Sequence, residues 1–212
     1  MLVSATRSAF SARFAVSSFE YFSEGFAMKR LKRRELMEPI ETALGRVVIA
    51  WNDLHDSMGW IFSRLVGVDS NLGFPIWNSV IADRGQREML RAAAWSSPVL
   101  DNRAECAEDI DWLCKQTDGL SGKRNDAIHA PYKPIYDAEG KGEVRPFYYL
   151  GNPRAIALSD KDLMEQLVWF YLSFECLHRY AEEINTALLA KDLPWPERPQ
   201  MPTLGQKGTQ RP

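Results

Sequence analysis

Between Leu163 and Leu188 the apolar residues Leu163, Leu167, Phe170, Phe174, Leu177, Ala181, Ile184 and Leu188 return in alternating steps of four and three. That period is incompatible with a strand and puts one apolar stripe along a helix of nearly four heptads. Ser159 is placed to cap it, and Asp160 and Asp162 put negative charge on its first turn. Such a seam needs a partner helix, either an antiparallel neighbour in the same bundle or a second copy of the chain.

The rest of the body repeats the pattern. Leu44, Val47, Val48, Trp51, Leu54, Met58, Ile61, Phe62 and Leu65 form a stripe that Pro39 opens and Gly67 ends. A second helix is expected from Phe74 and Pro75, carrying Ile76, Val80 and Ile81; Asp83-Arg84-Gly85 kinks or restarts it, and Met89, Leu90, Ala93 and Ala94 continue it to Pro98. A third uses Cys106, Ile110, Leu113, Thr117 and Leu120, fraying at Gly119 and Gly122 before a short fourth helix. Tyr132–Tyr136 and Val144–Leu150, around the turn residues 137–142, read as a proline-edged β-hairpin. The expectation is an all-α antiparallel bundle of four to five helices over residues 38–191, with a hairpin insertion at 131–151 before the last helix. Residues 192–212 read as a proline-rich disordered tail.

Charge is uneven. Residues 1–37 carry seven Lys/Arg against Glu20, Glu24 and Glu35, leaving 19 basic and 25 acidic residues, a net −6, in the other 175. The body therefore lacks a broad basic field for gripping long nucleic acid, and any such contact is local. The Ser-rich, acid-poor start is like that of organellar transit peptides, or else a start preceding a true beginning at Met28 with its basic cluster Lys29–Arg34; the segment is expected to be a disordered extension. Cys106, Cys114 and Cys176 are an odd count without a C-x-x-C pair, which fits a reducing, cytoplasmic setting. No apolar run is long enough to span a membrane.

Chemistry concentrates at Gly122-Lys123-Arg124-Asn125-Asp126-Ala127-Ile128-His129. On a helix, Asn125 and His129 share a face and the amide can orient the ring. Arg124 lies about 140° from His129 on an ideal helix, so the two converge only if Arg124 sits in the preceding turn or its side chain wraps round. Pro131 ends the helix after His129, and a helix C-terminus favours imidazolium, poising His129 as a proton donor. His55 and His178 read as core or boundary histidines, and no dinucleotide, phosphate-loop or metal-spaced motif appears.

Arg124-Asn125-x-x-x-His129, after three amphipathic helices and before a long last one, resembles the signature of HEPN domains. The resemblance covers roughly residues 38–191. It implies an all-α, HEPN-like bundle that pairs as a homodimer, needs no metal or cofactor, and cleaves RNA by attack of the ribose 2′-hydroxyl. Many members are toxins or defence effectors with a cognate antitoxin or other protein partner. It further implies that His129 acts as general base or acid, Arg124 stabilises phosphate charge and Asn125 positions one of them. Lys123, Lys133, Arg145 and Arg154 are the basic residues available to hold RNA. The alternative is a HEPN-like module that binds RNA, a nucleotide or a protein without cutting. Ala130 follows the histidine where similar sequences often carry glycine.

Overall fold

The computed structural model describes residues 8–100, 104–190 and 192–204. Among the described residues there are six α-helices: α1 (Ser8–Leu65), α2 (Ser70–Ser79), α3 (Asp83–Ser96), α4 (Ala104–His129), α5 (Pro153–Ile156) and α6 (Leu163–Leu189). A two-stranded antiparallel hairpin, β1 (Tyr132–Tyr136) and β2 (Gly142–Pro146), lies between α4 and α5. The mostly helical class expected from the apolar periodicity is therefore present.

Two compact units divide the chain, Met1–Glu41 with Tyr132–Arg145, and Thr42–Pro131 with Pro146–Pro212. The hairpin groups with the N-terminal stretch, where the Leu36 side chain lies so close to Gly142 that an added β-carbon would come within 2.4 Å of it. Within the hairpin, the Asp137 carboxylate accepts from the Glu139 and Lys141 amides at 3.1 and 2.8 Å, and Gly140 supplies the positive φ of the turn.

The N-terminal extension is helical from Ser8, and α1 runs through Pro39 instead of starting there. Proline removes one bond, to the carbonyl of Glu35, and both residues are exposed, so water can take that carbonyl's place. Residues 1–7 lie outside the described residues.

In the larger unit, the part of α1 from Thr42 onward buries Val47, Trp51, Leu54, Met58, Ile61 and Leu65, as its stripe requires. Helix α2 returns antiparallel along it, with Trp77 against Phe62 and Gly73 against Ser63. The expected second helix is thus two. Trp77 is the buried anchor of α2, whereas Ile81 is 96% exposed in the link to α3. Helix α3 then runs parallel to α1, with His55 beside Gln86 and Ser97 Oγ donating to the Leu65 carbonyl.

Helix α4 is antiparallel to α3, joined by Arg87–Asp118, Arg91–Asp111 and Arg91–Asp118 pairs. It does not fray at Gly119 or Gly122 but continues to His129, so no separate fourth helix exists there. Helix α6 begins at Leu163 with Asp162 as its cap, accepting from the Glu165 amide at 2.9 Å, and not with Ser159. Its stripe is consumed within the chain: Phe174 meets Trp51 edge-on at 5.0 Å, Ser57 donates to Glu182 at 2.5 Å and Asn185 donates to the Ser57 carbonyl at 3.0 Å. Those contacts run α6 parallel to α1, while Trp112 against Tyr180 together with Lys123 over Trp169 makes it antiparallel to α4.

The segment expected as a disordered tail differs up to Leu204. Residues 192–204 have no regular secondary structure, and their side chains and carbonyls bond to α4 and α6; Trp195 donates to Asp109 at 2.7 Å and Trp169 donates to the Pro202 carbonyl at 2.9 Å. Residues 205–212 lie outside the described residues.

Helices α1 and α2 approach closely at Gly73 and Ser63. A β-carbon on Gly73 would meet Ser63 Oγ at 2.1 Å and its Cβ at 2.6 Å. Gly73→Ala is expected to cost about 1–3 kcal/mol by overpacking. Chemical denaturation of variant and wild type measures it, and an unchanged midpoint would show that the crossing can open without penalty.

Candidate functional site

Site residues come from three helices. Trp51 and His55, one turn apart on α1, share its inner face. Asp83, Gln86 and Arg87 lie on the first turns of α3, and Asp118, Arg124 and Asn125 on α4. Parallel α1–α3 and antiparallel α3–α4 packing bring these residues to one level of the bundle.

Trp51 is the hub. Its indole N–H donates to Asp83 at 3.1 Å, and its ring lies 4.9 Å from the Arg124 guanidinium carbon and 5.7 Å from that of Arg87. Buried aromatic faces attract cations, and the effect strengthens where water is excluded. Arg124 is half-buried, and its Nη1 donates to the Asn125 carboxamide oxygen at 2.8 Å. Its Nε is enclosed without a hydrogen-bond partner. Burial pulls its pKa below the usual arginine value, and the nearby Asp83 charge opposes that shift. Its nearest polar partner is thus an amide, and no carboxylate lies within ion-pair distance of Arg124 among the described residues.

Beside this cation lies a second network. Gln86 donates its amide to the Trp77 carbonyl at 3.2 Å, which turns its oxygen toward His55 Nδ1 at 3.2 Å. His55 Nε2 lies 3.1 Å from Arg87 Nη1, so the partners assign the neutral Nδ1–H tautomer, with Nε2 accepting. Arg87, only 2% exposed, also donates to Asp118 at 2.6 Å. Burial, with Arg87 and Arg124 adding repulsion against the pull of Asp83, lowers the His55 pKa to about 4. Proximity to Arg91 and Arg87 holds the Asp118 carboxyl below the usual range even though burial acts the other way.

The sequence-expected residues are partly brought together. Arg124 and Asn125 are in contact, but the amide serves Arg124 and not the histidine. His129 is the exposed last residue of α4. Because α4 is continuous, five residues separate Arg124 and His129 by about 140° around one helix. The two therefore project to different sides of α4, and Arg124 turns inward onto Trp51. Lys123 is exposed, its ammonium 5.6 Å over the Trp169 ring. Arg154 is exposed on α5. Lys133 and Arg145 lie on β1 and β2, and Arg145 pairs with Glu143. His55 is the core histidine expected of it, and His178 sits at the boundary, 3.9 Å from Glu182.

Sequence reasoning missed Asp83 and the double role of Trp51. A buried tryptophan can be read from the stripe, but its N–H partner 32 residues away cannot. Cys106, Cys114 and Cys176 are all buried, and burial pushes the Cys114 thiol up to about 12. Among the described residues, no helix is long and apolar enough to cross a membrane, and no group of three or more His, Cys, Asp or Glu could hold a metal ion. Compared with known proteins, no family model, curated protein or solved structure matches the chain.

Burial of His55 couples folding to pH. Because the folded state disfavours the imidazolium, the stability from this site is present above the ordinary histidine pKa of about 6.5 and is lost as pH falls toward about 4. The full loss is about 3 kcal/mol, from roughly 1.4 kcal/mol per unit. Urea titrations across that window should show the decline, and His55→Gln should flatten it. An equal slope in the variant would assign the pH dependence elsewhere.

Proposed function

We propose that the protein is a metal-independent endoribonuclease of HEPN type that works as a homodimer in the cytoplasm. The observation that carries this reading is Arg124: a partly desolvated guanidinium, oriented by Trp51 and Asn125 and without a carboxylate ion partner, on the same helix as an exposed terminal histidine. A cation so held suits the charge that builds on a phosphate during displacement.

RNA supplies its own nucleophile. One imidazole takes the proton of the 2′-hydroxyl as the 2′-oxygen bonds to phosphorus, and the P–O5′ bond breaks with protonation of the leaving 5′-oxygen. The products are a 2′,3′-cyclic phosphate and a 5′-hydroxyl end. In this mechanism His129 is the proton carrier and Arg124 the charge stabiliser. The wide angle between them on α4 is met by pairing two chains, so that the Arg124 of one protomer serves beside the His129 of its partner. Lys123 and Arg154 of the larger unit supply local phosphate contacts, and Lys133 and Arg145 of the hairpin supply others of their own; in a toxin or defence role a cognate antitoxin would block RNA binding.

The same angle supports the second reading, a HEPN-like module that binds RNA, a nucleotide or a protein without cutting. One assay separates the two. Full-length protein is incubated with end-labelled total RNA in EDTA, wild type against His129→Ala, with end-group analysis of the products. The endoribonuclease reading expects cleavage that leaves cyclic phosphates and falls at least about 100-fold in the variant. Because His129 is exposed, the stability of the variant should stay within about 0.5 kcal/mol of wild type. A folded, dimeric wild type that cuts no RNA would leave the binding module.

A further inference from the structure

The extended segment after α6 is attached in a way that points to a site. From Trp195 to Pro202 it follows the groove between α4 and α6, meeting Asp109 and Trp112 near the start of α4, then Cys176, then Trp169, over which Lys123 lies. An extended polyproline chain advances about 22 Å over those seven steps, and α4 advances about 21 Å from Asp109 to Lys123, so strap and groove match in length.

Its sequence has the period of that conformation. Pro196, Pro199 and Pro202 recur every third residue, the turn of a polyproline II helix, and all three are partly covered. Glu197, Arg198, Gln200 and Thr203, off that edge, are exposed. The groove reads the strap by three means suited to such a chain. Side-chain donors take backbone carbonyls, Trp169 Nε1 to Pro202 at 2.9 Å and Cys176 Sγ to Gln200 at 3.8 Å. One carboxylate, Asp109, accepts both the Trp195 indole N–H and the Arg198 guanidinium. Aromatic faces line the path, with Arg198 5.9 Å over Trp112, itself edge-on to Tyr180.

No residue from 192 to 204 is buried, and Cys106, Ile110, Cys176 and Tyr180 of the groove are buried with the strap in place. The strap itself stays at the surface. Its anchors are side-chain contacts of the kind that exchange, not a backbone ladder that stitches it into the core.

We infer that the α4–α6 groove is a binding site for a proline-rich peptide in the extended W-P-x-R-P-x-x-P pattern, that the chain's own residues 195–202 fill it as a resident ligand, and that a partner protein presenting this pattern displaces them. The inference is independent of the ribonuclease reading. A tethered ligand competes at an effective concentration in the millimolar range, so the groove opens only to a partner at high local concentration or with more than one contact.

The test uses full-length protein and a fluorescein-labelled peptide of residues 193–204. Trp195→Ala/Arg198→Ala removes the tail's hold on Asp109 and leaves the groove intact. That variant should bind the peptide saturably, at least tenfold tighter in apparent affinity than wild type. Adding Asp109→Asn should abolish binding, as should replacing the peptide's three spaced prolines by alanine. A folded double variant that binds no peptide up to millimolar concentration overturns the proposal, as does equal binding of the alanine peptide. If the variant does not fold, wild type decides: excess unlabelled peptide should speed cleavage by a glutamate-specific protease at exposed Glu197, and an unchanged rate overturns the proposal.

Discussion

The buried guanidinium of Arg87 sets the terms for the larger unit. A charge at 2% exposure is tolerated only where hydrogen bonds replace its water, and here Asp118 of α4 and His55 of α1 supply them. Those partners lie on the two helices that flank α3, so satisfying one cation fixes three helices in register. The same requirement keeps His55 neutral and turns Gln86 to bridge His55 and the Trp77 carbonyl. An apolar side chain of similar volume would pack there without demanding any particular partner, and the level at which α1, α3 and α4 meet would be less sharply defined.

That register is also what gives Arg124 its setting. With Trp51 anchored through Asp83 and pressed edge-on by Phe174, its ring is a fixed surface for the guanidinium of α4. A long, flexible side chain is thereby held at one place with its charge only partly hydrated, which raises the strength of any anion contact it makes. The continuity of α4 through Gly119 and Gly122 transmits this setting to His129, because an unbroken helix fixes the angle between two of its residues. The cysteines are buried, and burial pushes the Cys114 thiol up to about 12, away from the thiolate form.

Legibility in the sequence followed the range of the interaction. The stripes of α1 and α6, the hairpin and the core character of His55 follow from neighbours within a turn or two. Other features were misread for identifiable reasons. Pro39 and the two glycines of α4 weaken a helix locally, but each sits where water can satisfy the backbone or where a long helix costs little to continue. The proline-rich tail has the composition of disorder, yet composition is blind to a groove whose donors and carboxylate lie 24 to 89 residues away. The break between α2 and α3, foreseen near Asp83, leaves Ile81 exposed while Trp77 is buried.

By itself the sequence determined that the chain is mostly helical, which faces of α1 and α6 are buried, where the hairpin lies and that Arg124, Asn125 and His129 share one short segment, since all of these depend on spacing along the backbone. Only the tertiary structure decided that Arg124 rests on Trp51, that Arg87 and Asp118 lock the bundle and that the tail lies in the α4–α6 groove. These are meetings of residues far apart in the chain, chosen by which charges and donors must be satisfied once water is excluded, and no local period encodes them.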